Sequence, residues 1–180
     1  MTSVQAPPAF LLPAALASQG YALRRESEAD IPFLMRLYAS TREQELAVAP
    51  WSEEQKQAFL ASQFQAQRRH YYQHIPDCAF AVIERDGAPV GRLYLEPRRT
   101  RLHIVDIALL PQWRGQGLGT AIMQALQAHA ATRGKGVGIF VEKFNPALRL
   151  YRRLGFAENA DRAVYLEMEW LPDSERRRAS

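Results

Sequence analysis

A single cysteine, three lysines among 23 basic residues and no uninterrupted apolar run of membrane-spanning length limit what this 180-residue chain can do. Cys78 has no second cysteine to pair with, and no Cys/His cluster carries zinc-ligand spacing, so a disulfide framework and a structural zinc are both excluded. The lone thiol reads as a small buried residue at the start of a strand rather than as a nucleophile. Gly-Lys-Ser/Thr occurs nowhere, which removes a P-loop, and no Gly-x-Gly-x-x-Gly occurs, which removes the dinucleotide fingerprint. Near the start, Ala9 to Ala17 is apolar but broken by Pro13, and no Lys or Arg precedes Arg24, unlike the basic opening of a secretory signal. We therefore expect a cytoplasmic protein without a membrane segment, with residues 1–20 as an N-terminal extension, 21–171 as one domain and 172–180 as a basic polar tail.

What is present is ordinary in bulk: 47% hydrophobic and 23% charged residues, enough for one domain with a sizeable core. The net charge of +4 and pI near 9.5 come from arginine. Those arginines are scattered, and the densest cluster, Arg176 to Arg178, lies in the polar tail after Pro172. Scattered arginine is the signature of a solvated surface, so no dedicated nucleic-acid site is expected.

Along the chain, Tyr21 to Arg25 reads as a strand. A helix follows with Asp30 as cap, Pro32 in its first turn and Ile31, Leu34, Met35 and Tyr38 as one apolar stripe. A second helix starts at Ser52, whose spacing to Gln55 is that of a capping box, and runs to about His70. It carries Gln63, Gln65, Gln67, Arg68, Arg69, His70, Tyr71 and Tyr72, each by itself a solvated residue but together able to line a cleft. Arg42, Glu43, Glu45 and Trp51, between the two helices, are the other candidates for substrate contacts. Ala79 to Arg85 and Val90 to Glu96 flank Asp86-Gly87, a hairpin signal. Leu102 to Leu110 follows as a central strand buried on both faces.

A helix from about Leu118 to Thr132, with Ile122, Ala125, Leu126 and His129 on its stripe, leads to the strand Val137 to Val141, parallel to the central one. Asn145-Pro146 opens a third helix with Leu150 and Leu154 facing inward, and Gly155 stops it. Phe156 to Asn159 and Val164 to Trp170 complete the sheet. The fold class is α/β: a mixed, mostly antiparallel sheet flanked by helices.

The central strand runs into Pro111-Gln-Trp-Arg-Gly-Gln-Gly-Leu-Gly-Thr120, where glycines at 115, 117 and 119 leave the backbone bare at the start of a helix, an anion-binding arrangement. This stretch resembles the acyl-CoA loop of the GCN5-related N-acetyltransferase (GNAT) family, Arg/Gln-x-x-Gly-x-Gly/Ala. It does so in two registers, from Gln112 and from Arg114. A second segment, Asn145 to Phe156, is similar to that family's Asn-x-x-Ala/Ser-x-x-Leu-Tyr-x-x-x-Gly-Phe, with Ala147 one residue early. The resemblance extends from Tyr21 to Trp170.

It implies a splayed parallel strand pair holding acetyl-CoA. Ile107, Ala108 and Leu109 would bind the pantetheine arm; Gln112, Arg114, Gly115, Gln116, Gly117, Leu118, Gly119 and Thr120 the pyrophosphate; Asn145 would lie beside them. No metal is implied. The acceptor would be a small-molecule or peptide amine, and the reading leaves room for a homodimer. An ammonium with a pKa near ~10.4 must lose a proton before it attacks a thioester. By resemblance the base position is His103; a carboxylate inside an apolar strand makes Asp106 a second candidate, and Glu142 is a third. In a regular strand His103 and Asp106 point to opposite faces, so both serve only if a bulge intervenes. Tyr151 matches the family tyrosine that donates a proton to the departing thiolate. Acetyl transfer by direct attack in a ternary complex is the expected activity, with a CoA-binding module without turnover as the alternative.

Overall fold

The computed structural model describes residues 10–173, so the Arg176 to Arg178 cluster and residues 1–9 lie outside the described residues. Its elements are α1 (Ala14–Ala17), β1 (Tyr21–Arg25), α2 (Ile31–Ala47), α3 (Glu53–His74), β2 (Ala79–Arg85), β3 (Ala88–Pro97), β4 (Arg101–Leu109), α4 (Leu118–Ala131), β5 (Gly136–Glu142), α5 (Leu148–Arg153), β6 (Ala157–Arg162) and β7 (Tyr165–Trp170). The seven strands form one sheet in the order β1-β2-β3-β4-β5-β7-β6. Only β4 and β5 run parallel, joined through α4 as a strand-helix-strand crossover. The other neighbours are antiparallel.

Local signals explain most boundaries. Asp86 and Gly87 both take positive φ, as the two-residue hairpin turn between β2 and β3 requires. Ser52 Oγ accepts from the Gln55 backbone N–H at 3.2 Å and Gln55 Oε1 accepts from the Ser52 N–H at 2.9 Å, closing the capping box of α3. That helix runs to His74, four residues beyond the expected end. Asp30 precedes α2, but its carboxylate takes Arg24 at 2.6 Å and the Ser27 N–H at 2.8 Å instead of capping that helix. Arg24 holds the Asp30 carboxyl well below the ordinary carboxylate range, with Ser27 adding to the effect.

The sheet has unlike faces. Against one face pack α4 and α5, with Ile122, Met123, Leu126, Leu148 and Tyr151 meeting Ile104, Val137, Ile139, Val141, Leu166 and Met168. Phe10 and Leu16 are buried in this same cluster, so residues 10–20, expected to be an extension, contribute to the core. Against the other face pack α2 and α3, through Phe33, Leu34, Leu37, Tyr38 and Phe64 over Val82.

Four details differ from the sequence reading. On α2 the inward set is Phe33, Leu34, Leu37 and Tyr38, while Met35 is 37% exposed, because the helix is rotated toward its aromatic side. On α5 it is Leu148 and Tyr151, not Leu150 and Leu154, that are fully buried, since the helix begins at Leu148 after an Asn145 turn. Arg42, Glu43 and Glu45 belong to the last turns of α2 rather than to a linker, and Val164 lies just outside β7, 62% exposed.

Candidate active site

The opening between β4 and β5 positions everything else. Their pairing covers only Arg101 to Ile104 against Gly136 to Ile139. Beyond Ile104 the strands part, and the edge of Val105 to Leu109 turned toward β5 has no strand partner among the described residues. At the same place β4 carries an extra residue: Tyr94 pairs with Asp106 and Leu95 with Ile104, leaving Val105 out of register. This is a β-bulge, which bends the strand away from its neighbour. Leu102, Ile104, Ile107 and Leu109 all reach the α4 side. His103, Asp106 and Ala108 therefore share the α2/α3 side: the bulge on which a shared face for His103 and Asp106 depends is present.

The loop after β4 is built as an anion cradle. Gly115 (φ +70°) and Gly117 (φ +87°) occupy the left-handed region that favours glycine. The N–H groups of Trp113 and Arg114 are spent on Leu110 and Pro111 carbonyls. From Gly115 to Thr120, in contrast, no backbone N–H reaches an acceptor among the described residues. Six successive donors are thus left without an acceptor among the described residues at the positive end of α4, in the loop that follows the open strand. The Arg114 guanidinium lies beside it, donating to the Leu109 carbonyl at 2.7 Å and to Ser40 Oγ at 2.8 Å, with no carboxylate bonded to it. Asn145 Oδ1 accepts from the Ala147 N–H at 2.9 Å, so its side chain shapes the turn into α5.

Three side chains converge on the opening. Tyr151 is buried on α5, and its hydroxyl makes no hydrogen bond to a described residue; burial, and then the Asp106 charge, push its pKa well above the usual phenol value. Asp106 accepts from Arg92 Nη2 at 2.6 Å and from the Tyr71 hydroxyl at 3.2 Å. Glu142, at the end of β5, meets Arg42 of α2 at 3.4 Å, an ion pair across the mouth. His103 is placed differently. It lies in the paired part of β4, 5% exposed, with Phe140 at 5.1 Å, and burial followed by the charges of Arg98 and Arg101 pushes it down to about 3. An imidazole held neutral so strongly is a poor proton acceptor.

The α3 side chains divide: Gln63, Gln65, Arg69 and His70 are exposed, as a solvated face would be, while Gln67, Arg68, Tyr71 and Tyr72 meet partners. Arg68 and Tyr72 donate to the Glu26 carboxylate, Tyr94 donates to it from β3, and Gln67 accepts from Arg92 at 3.0 Å. Glu26 and Arg92 were missed in the sequence; the available signal was a lone Arg and a lone Asp, each inside an apolar strand, on adjacent antiparallel strands. A recess of about 470 Å3 lies elsewhere, between α2 and α3, lined by Met35, Phe64, Arg69 and Tyr72 among others. None of its lining residues belongs to β4, β5 or the glycine loop, so the chemistry is assigned to the opening instead. Among the described residues no group of His, Cys, Asp or Glu is placed to hold a metal, and no helix is long and apolar enough to cross a membrane.

A family model described as the acetyltransferase (GNAT) family matches residues 36–156, from α2 through the glycine loop to the end of α5. The chain belongs to the GNAT acetyltransferase family. Among curated proteins, the N-alpha-acetyltransferase of Sulfurisphaera tokodaii is 33% identical over 99 residues, 46% of this chain and 58% of that protein. The streptothricin acetyltransferase of Streptomyces lavendulae is 41% identical over 92 residues, 48% of each chain. The chain thus spans about half the length of the curated relatives it matches. Among solved structures, the PaiA N-acetyltransferase of Thermoplasma acidophilum in complex with coenzyme A aligns with a TM-score of 0.63 at 16% identity, over 84% of this chain and 99% of that one. RimL, a ribosomal L7/L12 alpha-N-protein acetyltransferase in complex with coenzyme A, aligns with a TM-score of 0.58 at 19% identity, over 91% and 99% of the two chains. These likenesses establish the GNAT fold, including its one parallel strand pair.

Proposed function

We propose that this GNAT protein moves the acetyl group of acetyl-CoA to a primary amine by direct attack within a ternary complex. The observation that carries the reading is the run of unengaged N–H groups from Gly115 to Thr120 beside the unpaired edge of β4. A pyrophosphate satisfies the first, and an extended amide-bearing arm satisfies the second as an added strand would. Both CoA-bound neighbours and both acetyltransferase relatives support it.

The side chains then take distinct parts. Backbone N–H groups of Ile107 and Leu109, on the edge of β4 away from β3, polarise the thioester carbonyl, a preorganised electrostatic role. Tyr151, kept protonated by burial, donates to the departing thiolate; because a thiol with a pKa near ~8.5 leaves readily, this step modulates the rate rather than enabling it. Asp106 receives the N–H of the incoming amine from the α2/α3 side. His103 is given no proton-transfer role, since burial, and then the charges of Arg98 and Arg101, hold its imidazole neutral. The test is acetyl-CoA titration alongside thiol release with a panel of primary amines. Binding with turnover on at least one amine is expected; binding without turnover on any would make the protein a CoA-binding module.

A further inference from the structure

Asp106 is held by one oxygen only. The Tyr71 hydroxyl and Arg92 Nη2 both donate to Oδ2, and no described group donates to Oδ1. A carboxylate turns about its Cβ–Cγ bond in a broad, two-fold well, so a single donor would leave its two oxygens interchangeable. Two donors from different elements of the fold, the helix α3 on one side and the strand β3 on the other, fix the carboxylate plane and leave Oδ1 as the free acceptor.

We propose that Arg92 and Tyr71 are positioning residues that aim Oδ1 of Asp106 at the acceptor amine, an inference that rests on the amine-receiving part given to Asp106 above. The clamp is itself anchored. Arg92 is 3% exposed, gives its Nη2 also to Gln67, and lies 5.1 Å over the Tyr94 ring. Tyr94 is tied by its hydroxyl to Glu26, which Arg68 and Tyr72 also reach. α3 therefore supplies one clamp member, Tyr71, and holds the other, Arg92, through Gln67, so a carboxylate on the central strand is set from outside the sheet. Tyr71 is suited to a fixed donor: burial and the Asp106 charge raise its pKa far above the ordinary phenol value, so it keeps its proton at any working pH.

The experiment is a double-mutant cycle on turnover with Tyr71→Phe and Asp106→Asn. Phenylalanine keeps the ring that meets Tyr94 edge-on at 6.0 Å and removes only the donor, whereas replacing the buried Arg92 risks the fold. Tyr71→Phe alone should lower kcat roughly tenfold, the scale of one hydrogen bond to a charged group, with the KM for the amine changed less than about twofold. In the Asp106→Asn background the same change should cost less than about twofold, since the two act as a unit. Equal losses in both backgrounds, or a loss confined to KM with kcat unchanged, would overturn the positioning role. Full turnover by Asp106→Asn would overturn it together with the part given to Asp106. A wild-type protein that binds acetyl-CoA and acetylates no amine would instead remove the reaction on which both rest.

Discussion

Gly119 offers the sharpest separation of cofactor binding from folding. It is the second residue of α4 and has ordinary helical geometry, unlike Gly115 and Gly117. A Cβ placed there meets only Leu109 Cδ1, at 4.0 Å, so the protein has room for a side chain. Replacing it by glutamate removes the entropic handicap of glycine in a helix and puts an acid in the first turn. Together these should stabilise the protein by about 1 kcal/mol, or about 2–4 °C in Tm. The same side chain projects into the space that the N–H groups of residues 115–120 surround and sets a carboxylate against an incoming phosphate. Losing two charge-assisted hydrogen bonds at about 1.5 kcal/mol each costs about 3 kcal/mol, roughly 150-fold in affinity. Circular-dichroism melting and calorimetric titration with acetyl-CoA measure the two effects on one sample. A Gly119→Glu protein that melts higher and binds within about threefold of wild type would refute the cradle. Gly117→Glu is the poorer experiment, because any side chain at φ +87° strains the turn itself.

Other consequences follow from single groups. Tyr151→Phe should lower kcat by about tenfold or less with little change in acetyl-CoA affinity, and stopped-flow or steady-state kinetics that show unaltered turnover remove the proton-donor role. Asp30 is ionised more easily folded than unfolded, so its stabilisation is complete above about pH 4 and lost as pH falls through the lower folded value. Asp30→Asn should therefore destabilise by about 2 kcal/mol at pH 7, discounted for the half-exposed Arg24, and the gap to wild type should close toward about pH 2 in urea melts. His103 has a folded value of about 3 against an unfolded one near 6.5, so the unfolded chain takes up its proton first. Stability should fall as pH drops between those values, by up to about 1.4 kcal/mol per pH unit, and His103→Leu should flatten that limb of the stability profile.

The glycine loop, the Asp86-Gly87 hairpin and the Ser52 capping box were all readable because each is a short-range backbone device with its own residue requirement. The strand and helix order from Tyr21 to Trp170 followed from them. What escaped was long-range and polar. On α3 only Phe64 is a buried hydrophobic, so its inward face carries no apolar period; Gln67, Arg68, Tyr71 and Tyr72 instead meet Glu26, just after β1, and partners on β3 and β4. Pairing of buried charges such as Arg92 with Asp106 depends on which strands become neighbours, and a linear pattern does not state that. The choice between Leu148 and Leu150 on α5 turned on two residues of helix start.

Strand alternation is a parity rule, and Val105 breaks it by one count. The apolar residues of β4 that reach the α4 side fall at Leu102, Ile104, Ile107 and Leu109, with intervals of two, three and two. Hold Val105 in regular register instead of in a bulge and the parity of the second half inverts: Asp106 would turn into the aliphatic layer under α4, and Ile107 would take its place beside Arg92. A single inserted residue thus lets one strand feed the same core from both ends while delivering its only acid to the opposite side, at the point where its neighbour departs. In this sheet the reactive position is specified by an odd number.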